Sequence, residues 1–405
     1  MGLVRSTAML LTAVLALSFE LKALAVTSPA VRVHEFPVPP RIAEKVWFWE
    51  VVFNRYPSTS TIVHDLEHPH LVVDIINFEN LAQRNSNSGP PSKKERDQIT
   101  SKYLKRYELA MTRIRNEGKG ALRYGPMEKR IYAVYARNEK TMRHLMSGSA
   151  VLRTQAGLKD EFAKAALRAN QWLPYMEKTF SARGLPIDLT RIAFVESMFN
   201  LNAVSKVGAS GIWQFMPATA RRYLVVTPFL DERNSPTKAT RAAASLLSFN
   251  YQELGTWPLA ITAYNHGAAS LGRAMRQLGT NELSEIIDQY KGSTFGFASR
   301  NFYSEFIAAR NVYKMNYAYR GERGSNPLAI TTISISKPVT LNQIMSHTPL
   351  NKALLRKYNP CIQARAFGMR RQVHLPANYE LVVPNYMAAD VAKAIARIHP
   401  LKRRG

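Results

Sequence analysis

Residues 189–200 read LTRIAFVESMFN, and this stretch decides how the rest of the chain is interpreted. At helical spacing Leu189, Ile192, Ala193, Glu196 and Phe199 share one face, so a carboxylate lies inside an apolar stripe. An ionised Glu is costly to remove from water, and apolar surroundings raise its pKa. Such a group keeps its proton near neutral pH, as a general acid must. The helix alone leaves open a Glu at the rim of the face, or one paired with an Arg.

The first residues have the pattern of an export signal. Arg5 precedes an apolar run over residues 8–19, and Ala23-Leu24-Ala25 is a small-residue cleavage site. Charged residues interrupt the apolar run, which favours cleavage over anchoring. The only cysteine is Cys361, for which we expect a small buried apolar role, so a lipoprotein is not expected. We therefore expect a signal peptide over residues 1–25 and a periplasmic location in a Gram-negative envelope.

The net charge of +26 predicts association with polyanions. For an exported protein these are the glycan strands of peptidoglycan, other anionic cell-wall polymers and the surface of an anionic membrane, to which peripheral association is expected. Nucleic acid is the usual partner of so basic a chain, but the export signal argues against it.

Two features stand out before residue 90. The aromatic cluster Trp47-Phe48-Trp49 predicts a short helix that docks on a larger body. Farther along, several potential metal ligands lie close together, but Pro69 breaks any helix there and their spacing matches no HExxH pattern. We expect a solvated loop there and no metal site. These potential ligands are His64, Asp65, Glu67, His68 and His70.

The remaining sequence predicts a mainly α-helical chain. We expect an N-terminal, mostly helical extension over 26–164 and a helical domain over 165–320. Residues 331–335 and 379–384 alternate like strands and flank a helix-like stretch, which indicates a small α+β unit over 328–386. A basic helix or tail follows over 387–405.

Three further segments follow Glu196. They are GASGIWQFMP at 208–217, AYNHG at 263–267 and ASRNFY at 298–303. Two glycines three residues apart suit a close backbone approach to a ligand, and Tyr and Asn side chains hydrogen-bond well to sugars. Each segment alone is weak evidence, since a Gly-rich turn is usually only a turn.

Taken in order, these segments resemble the lysozyme-like catalytic domain of lytic transglycosylases over roughly residues 165–315. The aromatic helix before the domain is similar to the membrane-bound D subgroup, and the small C-terminal unit loosely resembles a glycan-binding LysM repeat. The resemblance implies that Glu196 is the catalytic acid and base. The substrate-contacting residues that it implies are Ser205 near an N-acetyl group, Gln214 and Met216 in the cleft wall, Tyr264 and Asn265 beside the acid, and Arg300. Two positions depart from the pattern, since Ala298 stands where relatives carry Glu and no proline follows Phe302.

Glycoside cleavage normally requires two carboxyl groups, and no second one is expected near these motifs. Asp188 is interpreted as a helix cap, and Asp231-Glu232 lies in a Pro-flanked loop. A single carboxyl suits an intramolecular route without cofactor or metal. Glu196 would protonate the β-1,4 bond between MurNAc and GlcNAc and then deprotonate the C6 hydroxyl, which closes a 1,6-anhydro ring. The alternatives are a goose-type lysozyme that hydrolyses the same bond and a non-catalytic wall-binding protein.

Overall fold

A computed structural model describes residues 35–84, 91–318, 327–368 and 373–398, and the predicted signal peptide lies outside them. Most of the described chain is helical, which confirms the predicted fold class. The helices are α1 (Pro40–Asn54), α2 (Phe78–Arg84), α3 (Lys93–Glu117), α4 (Pro126–Tyr135), α5 (Glu139–Met146), α6 (Lys159–Ser181), α7 (Ile192–Ser197), α8 (Pro217–Ala220), α9 (Pro236–Leu254), α10 (Trp257–His266), α11 (Ala268–Leu278), α12 (Leu283–Gln289), α13 (Phe297–Asn316), α14 (Leu341–His347), α15 (Lys352–Tyr358) and α16 (Ala388–Arg397). The strands are β1 (Ser60–Asp65), β2 (Val72–Asn77), β3 (Leu152–Ala156), β4 (Ile330–Ile335), β5 (Val339–Thr340), β6 (His374–Leu375) and β7 (Tyr379–Pro384).

Helix α13 runs through the centre of the largest hydrophobic core. Phe302, Phe306 and Ala309 recur at three- and four-residue spacing along it and are buried, so one face of the helix meets α7 and α10. Helix α1 covers another side, and Trp49 Nε1 donates to Asn301 Oδ1 over 3.3 Å. The docking of the aromatic helix is therefore confirmed.

A three-stranded antiparallel sheet of order β2-β1-β3 precedes α6. Strand β1 is central, so His64 and Asp65 are buried, and the predicted solvated loop is wrong for these two residues. The reason is non-local, because the strand that covers this edge of β1 lies almost ninety residues later in the chain. Helices α3, α4 and α5 pack with β2 in a second hydrophobic cluster.

The C-terminal unit has the order β4, β5, α14, α15, β6, β7. Strands β4 and β7 are paired antiparallel from Ile330↔Pro384 to Ile335↔Tyr379, and the short strands β5 and β6 pair with each other. Both predicted strands are confirmed. Cys361 is buried as expected, and its Sγ lies 3.1 Å from the Tyr379 hydroxyl. The predicted domain boundaries and the LysM-like character of the unit stay predictions.

This unit is joined to the helical body by the loop before α9. Leu230 is buried in the unit's own core, and the Asp231 N–H donates to the Cys361 carbonyl over 2.8 Å. The Gln363 N–H donates back to the Phe229 carbonyl over 2.9 Å. One loop of the larger body therefore forms part of the smaller unit's interior.

Within the described ranges, the structure contains no helix with both the length and the apolarity that crossing a bilayer requires.

The Gly-rich turn after α7 contains two glycines in the left-handed region, Gly208 at φ 87° and Gly211 at φ 81°. A Cβ added to Gly211 would collide with the Arg233 carbonyl oxygen, whereas one added to Gly208 meets nothing within 4 Å. Backbone conformation therefore favours glycine at both positions, but only Gly211 is also required by packing.

We expect Gly208→Ala to lower the free energy of unfolding by about 1–2 kcal/mol, the cost of a left-handed residue that has a Cβ. Gly211→Ala places a Cβ on a left-handed residue as well, and it also displaces the Arg233 backbone. Its free energy of unfolding should therefore fall by clearly more than that of Gly208→Ala. Urea unfolding of both variants measures the difference. Equal losses would contradict the close approach at Gly211.

Candidate active site

Glu196 lies near the end of α7, a helix of six residues that follows a 3-10 helix over Ile187–Arg191. The helix ends because Met198 and Phe199 adopt positive φ values of 51° and 56°, which is uncommon and costly outside glycine. The Arg168 guanidinium holds this turn, since its Nε and Nη2 donate to the Met198 carbonyl over 3.0 and 2.8 Å. The strained turn therefore fixes the position of the carboxyl group.

The surroundings of Glu196 are apolar, as the sequence predicts. Leu189, Ile192, Ala193 and Phe199 are all buried, and the Glu196 side chain is itself partly buried. Among the described residues its carboxyl group makes no hydrogen bond. Burial, and to a smaller extent the charge of Glu305, raise the pKa of Glu196 to about 8. The group therefore keeps its proton at neutral pH.

Glu305 is a second carboxyl group close enough to act on Glu196, so the expectation that no second carboxyl group lies near these motifs is wrong. It lies on α13 one turn beyond Phe302, and burial raises its pKa to about 8 as well. The run Phe302-Tyr303-Ser304-Glu305-Phe306-Ile307 places a carboxylate among apolar residues, the same signal that singled out Glu196. Applied to α13, that signal would have found Glu305 from sequence.

Arg153 on β3 is the counter-charge to Glu305. Its guanidinium lies 3.8 Å from the centre of the Phe297 ring, and its Nε is buried without a hydrogen-bond partner among the described residues. The charge of Arg153 lowers the pKa of Glu305 against the effect of burial. The charge of Arg153 therefore acts on Glu305, and the charge of Glu305 acts on Glu196. Arg153 belongs to strand β3 of the N-terminal sheet.

The Gly-rich segment is tied to the end of α7. The Ser197 hydroxyl donates to the Ile212 carbonyl over 2.8 Å. Gln214, at φ 46°, donates through Nε2 to the carbonyls of Ala203 and Gly211 over 3.0 and 2.8 Å. The amide of Gln214 therefore shapes the loop beside Glu196.

Two other predicted contact residues belong to the same loop. The Ser205 hydroxyl accepts the Ala209 N–H over 2.9 Å, which closes a turn and leaves the residue partly exposed. Met216 is 41% exposed at the start of α8, as a residue of a cleft wall would be.

Tyr264 lies close to Glu196, and both the burial of its ring and the charge of Glu196 raise its pKa. Its hydroxyl donates to the Trp213 carbonyl over 2.8 Å. Its ring lies nearly parallel to Phe302, with 6.4 Å between the ring centres. The phenol is therefore neutral and held in place by α13 and by the Gly-rich segment.

Asn265 is exposed at the end of α10, and its Oδ1 accepts the Ser299 hydroxyl over 3.0 Å. The same hydroxyl lies 3.1 Å from His266 Nδ1. Burial lowers the pKa of His266, so the hydrogen-bonded group of Asn265, Ser299 and His266 carries no charge at neutral pH. Sequence reasoning missed Ser299, which aligns both side chains.

Arg300 points elsewhere. Its Nε and Nη2 donate to the carbonyls of Phe295 and Tyr290 over 3.0 and 3.1 Å, and it lines a cavity of about 330 Å³ together with Lys45 and His70. No described contact joins Arg300 to Glu196, and the structure gives it a role in holding the loop before α13.

The other acidic residues near the motifs are engaged in ion pairs. Asp188 does not cap a helix, and the predicted cap is wrong, because its carboxylate contacts Lys314 Nζ at 2.7 Å instead. Asp231 pairs with Arg233, and Glu232 pairs with Lys238. Glu305 is therefore the carboxyl group whose charge the structure brings to bear on Glu196.

Comparisons with known proteins agree with the motifs. The family model described as the transglycosylase SLT domain matches residues 179–287, which confirms the family resemblance. Membrane-bound lytic murein transglycosylase D of Escherichia coli (strain K12) is 25% identical over 264 residues, which cover 62% of this chain and 57% of that protein. A putative tributyltin chloride resistance protein of Alteromonas sp. (strain M-1) is 35% identical over 126 residues, 31% of this chain and 60% of that protein. The chain thus spans less than two thirds of the length of these relatives.

Among solved structures, the 70 kDa soluble lytic transglycosylase of Escherichia coli is similar over 48% of this chain and 34% of its own, with 17% identity and a TM-score of 0.33.

The raised pKa of Glu196 predicts how stability depends on pH. The folded protein retains a proton that the unfolded chain, with an ordinary pKa of 4.5, releases. The stabilisation from that proton is complete below pH 4.5 and is lost as the pH rises through about 8. Gln does not ionise, so the Glu196→Gln variant does not lose this stabilisation as the pH rises. We expect the variant to gain stability relative to the parent by on the order of 3 kcal/mol between pH 5 and pH 9.

Urea unfolding of both proteins at the two pH values measures this gain. Glu253→Gln, a change at an exposed position on α9, is the matched control and should show no such gain. A Glu196→Gln difference that is the same at both pH values would contradict the raised pKa.

Proposed function

We propose that this chain, whose residues 179–287 carry a transglycosylase SLT domain, is a peptidoglycan lytic transglycosylase. It would cleave the β-1,4 bond between MurNAc and GlcNAc and form a 1,6-anhydro-MurNAc end, a lyase reaction without water. The observation that carries the proposal is Glu196, a carboxyl group held protonated at the end of a strained helix beside the neutral phenol of Tyr264.

The first step is proton transfer to the leaving oxygen. With a pKa of about 8, Glu196 is protonated at neutral pH and close to the pKa range in which a general acid is most effective. Positive charge then develops at C1 of MurNAc, where the substrate's own N-acetyl carbonyl stabilises it. Tyr264 and Ser205 would bind this group, consistent with their places beside Glu196 and in the neighbouring turn.

The second step uses the carboxylate that the first step leaves. Glu196 removes the proton from the C6 hydroxyl, and that oxygen closes on C1. The hydroxyl is tethered to the reacting sugar, so its effective concentration exceeds that of water. The raised pKa assists here too, since a carboxylate of higher pKa is a stronger base.

Glu305 would tune Glu196 without touching the substrate. The two groups are coupled, so their protons are lost in two steps that belong to the pair. Arg153 favours ionisation of Glu305 and opposes the effect of burial there. Burial is the larger cause of the raised pKa of Glu196, and the charge of Glu305, once that group is ionised, raises it further.

The presence of Glu305 near Glu196 supports a second candidate function, a goose-type lysozyme that hydrolyses the same bond. A second carboxylate can act as a base for water, which two-carboxylate glycosidases use. In that reaction Glu305 would be indispensable, whereas in the lyase reaction it only adjusts Glu196. The two candidates therefore differ both in their products and in their dependence on Glu305.

We infer a periplasmic location from the export pattern in residues 1–25. A relative that covers 62% of this chain is named a membrane-bound lytic murein transglycosylase, which fits action at the cell envelope. The net charge of +26 would favour encounter with anionic wall polymers and with the membrane surface. The glycan would be contacted by Asn265, Gln214 and Met216. Arg300 would affect glycan binding indirectly, by holding the loop before α13 in place.

We expect Glu196→Gln to reduce release of muropeptides from purified sacculi by at least about 10²–10⁴-fold, the typical contribution of a general acid. Glu253→Gln should retain full activity, since residue 253 is exposed on α9. Mass spectrometry of the products should show 1,6-anhydro ends. Turnover by Glu196→Gln at the parent rate would exclude the mechanism, and reducing ends would identify a hydrolase.

Glu305→Gln removes the charge that raises the pKa of Glu196, while burial still raises it. We expect the basic limb of the pH profile of kcat/KM to move to lower pH by about one unit, with unchanged 1,6-anhydro products. The measurement is the rate of sacculus digestion between pH 5 and pH 10. Loss of turnover at every pH, with normal folding, would instead favour Glu305 as the base of a hydrolase.

A further inference from the structure

A cluster of potential metal ligands lies outside the candidate active site. Glu67 and His68 belong to the turn between β1 and β2, and His144 lies on α5. One ligand atom from each of the three side chains lies within 4.8 Å of the other two. We propose that Glu67, His68 and His144 bind a divalent transition-metal ion of the zinc class.

The fold brings these residues together from distant parts of the sequence. The β1–β2 turn is closed by the Leu71 N–H, which donates to the His68 carbonyl over 2.8 Å. Helix α5 begins at the cap Asn138 and runs beside this turn, so the rings of His68 and His144 lie 5.0 Å apart, edge to face. The sequence alone could not show this, because the local spacing around Pro69 matches no metal motif.

Asp65 holds both sides of the cluster in place. Its Oδ1 accepts the N–H groups of Glu67 and His68 over 2.9 and 2.8 Å. Its Oδ2 accepts the Tyr135 hydroxyl over 2.7 Å and lies 3.1 Å from His144 Nε2. A buried carboxylate on one nitrogen of a ligand histidine is the usual outer partner in metal sites, because it fixes the ring and leaves the other nitrogen to the ion.

The ligand groups themselves are available. Within the described ranges, neither the Glu67 carboxylate nor the His68 ring makes a hydrogen bond, and Glu67 is exposed. Ligands of a tetrahedral zinc lie about 3.3 Å apart, so the side chains need to approach one another by up to about 1.5 Å. A set of two imidazoles and one carboxylate suits zinc and leaves a fourth position for water.

Nearby cations limit the affinity of the site. Lys45 Nζ donates to the Glu67 carbonyl over 3.3 Å, and Lys140 lines the same cavity as His68. The carboxylates of Glu67 and Asp65 oppose these charges. We therefore expect weaker binding than at a closed structural zinc site with four protein ligands.

Binding would join the turn to α5. The turn and the start of α13 line the same cavity of about 330 Å³, in which His68 and His70 face Arg300 and Asn301. An ion at the cluster would therefore hold one wall of this cavity in place. Zinc binding at Glu67, His68 and His144 does not require the proposed enzymatic activity.

The test uses the full chain after treatment with a chelator. Isothermal titration with ZnCl₂ should show one site per chain, and Co²⁺ should give the visible absorption of a four-coordinate ion. Zinc should also raise the Tm, since it binds the folded state. Failure of the parent protein to bind either ion would overturn the proposal.

Three variants assign the site. Glu67→Gln and His68→Gln should each weaken zinc binding at least tenfold and abolish the shift in Tm. His347→Gln changes an exposed histidine of the C-terminal unit. It should leave both the zinc affinity and the zinc-dependent shift in Tm unchanged. Glu67 is exposed, so its variant should fold normally even if His68→Gln does not. Parental zinc affinity in Glu67→Gln would overturn the assignment.

Discussion

The desolvation of one carboxyl group is the constraint on which the rest of this structure depends. Glu196 remains protonated chiefly because water is largely excluded from its carboxyl group, and the charge of Glu305 adds to that effect. The short helix α7, its left-handed ending and the Arg168 contacts all serve to hold the group in that place. Folding to this arrangement costs free energy, and the packing around α13 offsets it.

The N-terminal region contributes to the site more directly than an appended extension would. Helix α1 covers α13 through the Trp49–Asn301 contact, and strand β3 supplies Arg153. Because Arg153 acts on Glu305 and Glu305 acts on Glu196, the sheet influences a proton held in another part of the fold. The electrostatics of the site are therefore a property of both regions together.

The sequence predicted features that lie within single helices and strands. It did not predict contacts between residues that are far apart in the chain and that tertiary packing brings together. Glu196 on its apolar face, the docking helix around Trp49 and the two C-terminal strands follow from periodicity within single elements. Glu305 carried the same local signal but lay more than a hundred residues from Glu196, so nothing in the sequence indicated that the two meet. The central position of β1, which buries His64 and Asp65, depends equally on a strand far along the chain. The contacts of Arg300 were hidden for a related reason, since its guanidinium donates to backbone carbonyls, which no sequence pattern reveals.

The loop around Leu230 has a consequence for how the C-terminal unit is joined to the helical body. Since this loop is part of the C-terminal unit's interior, and Arg241 also pairs with Glu380, the unit is not carried on a flexible tether. The two parts of the molecule are therefore joined by side-chain packing, backbone hydrogen bonds and an ion pair, and not by the covalent chain alone.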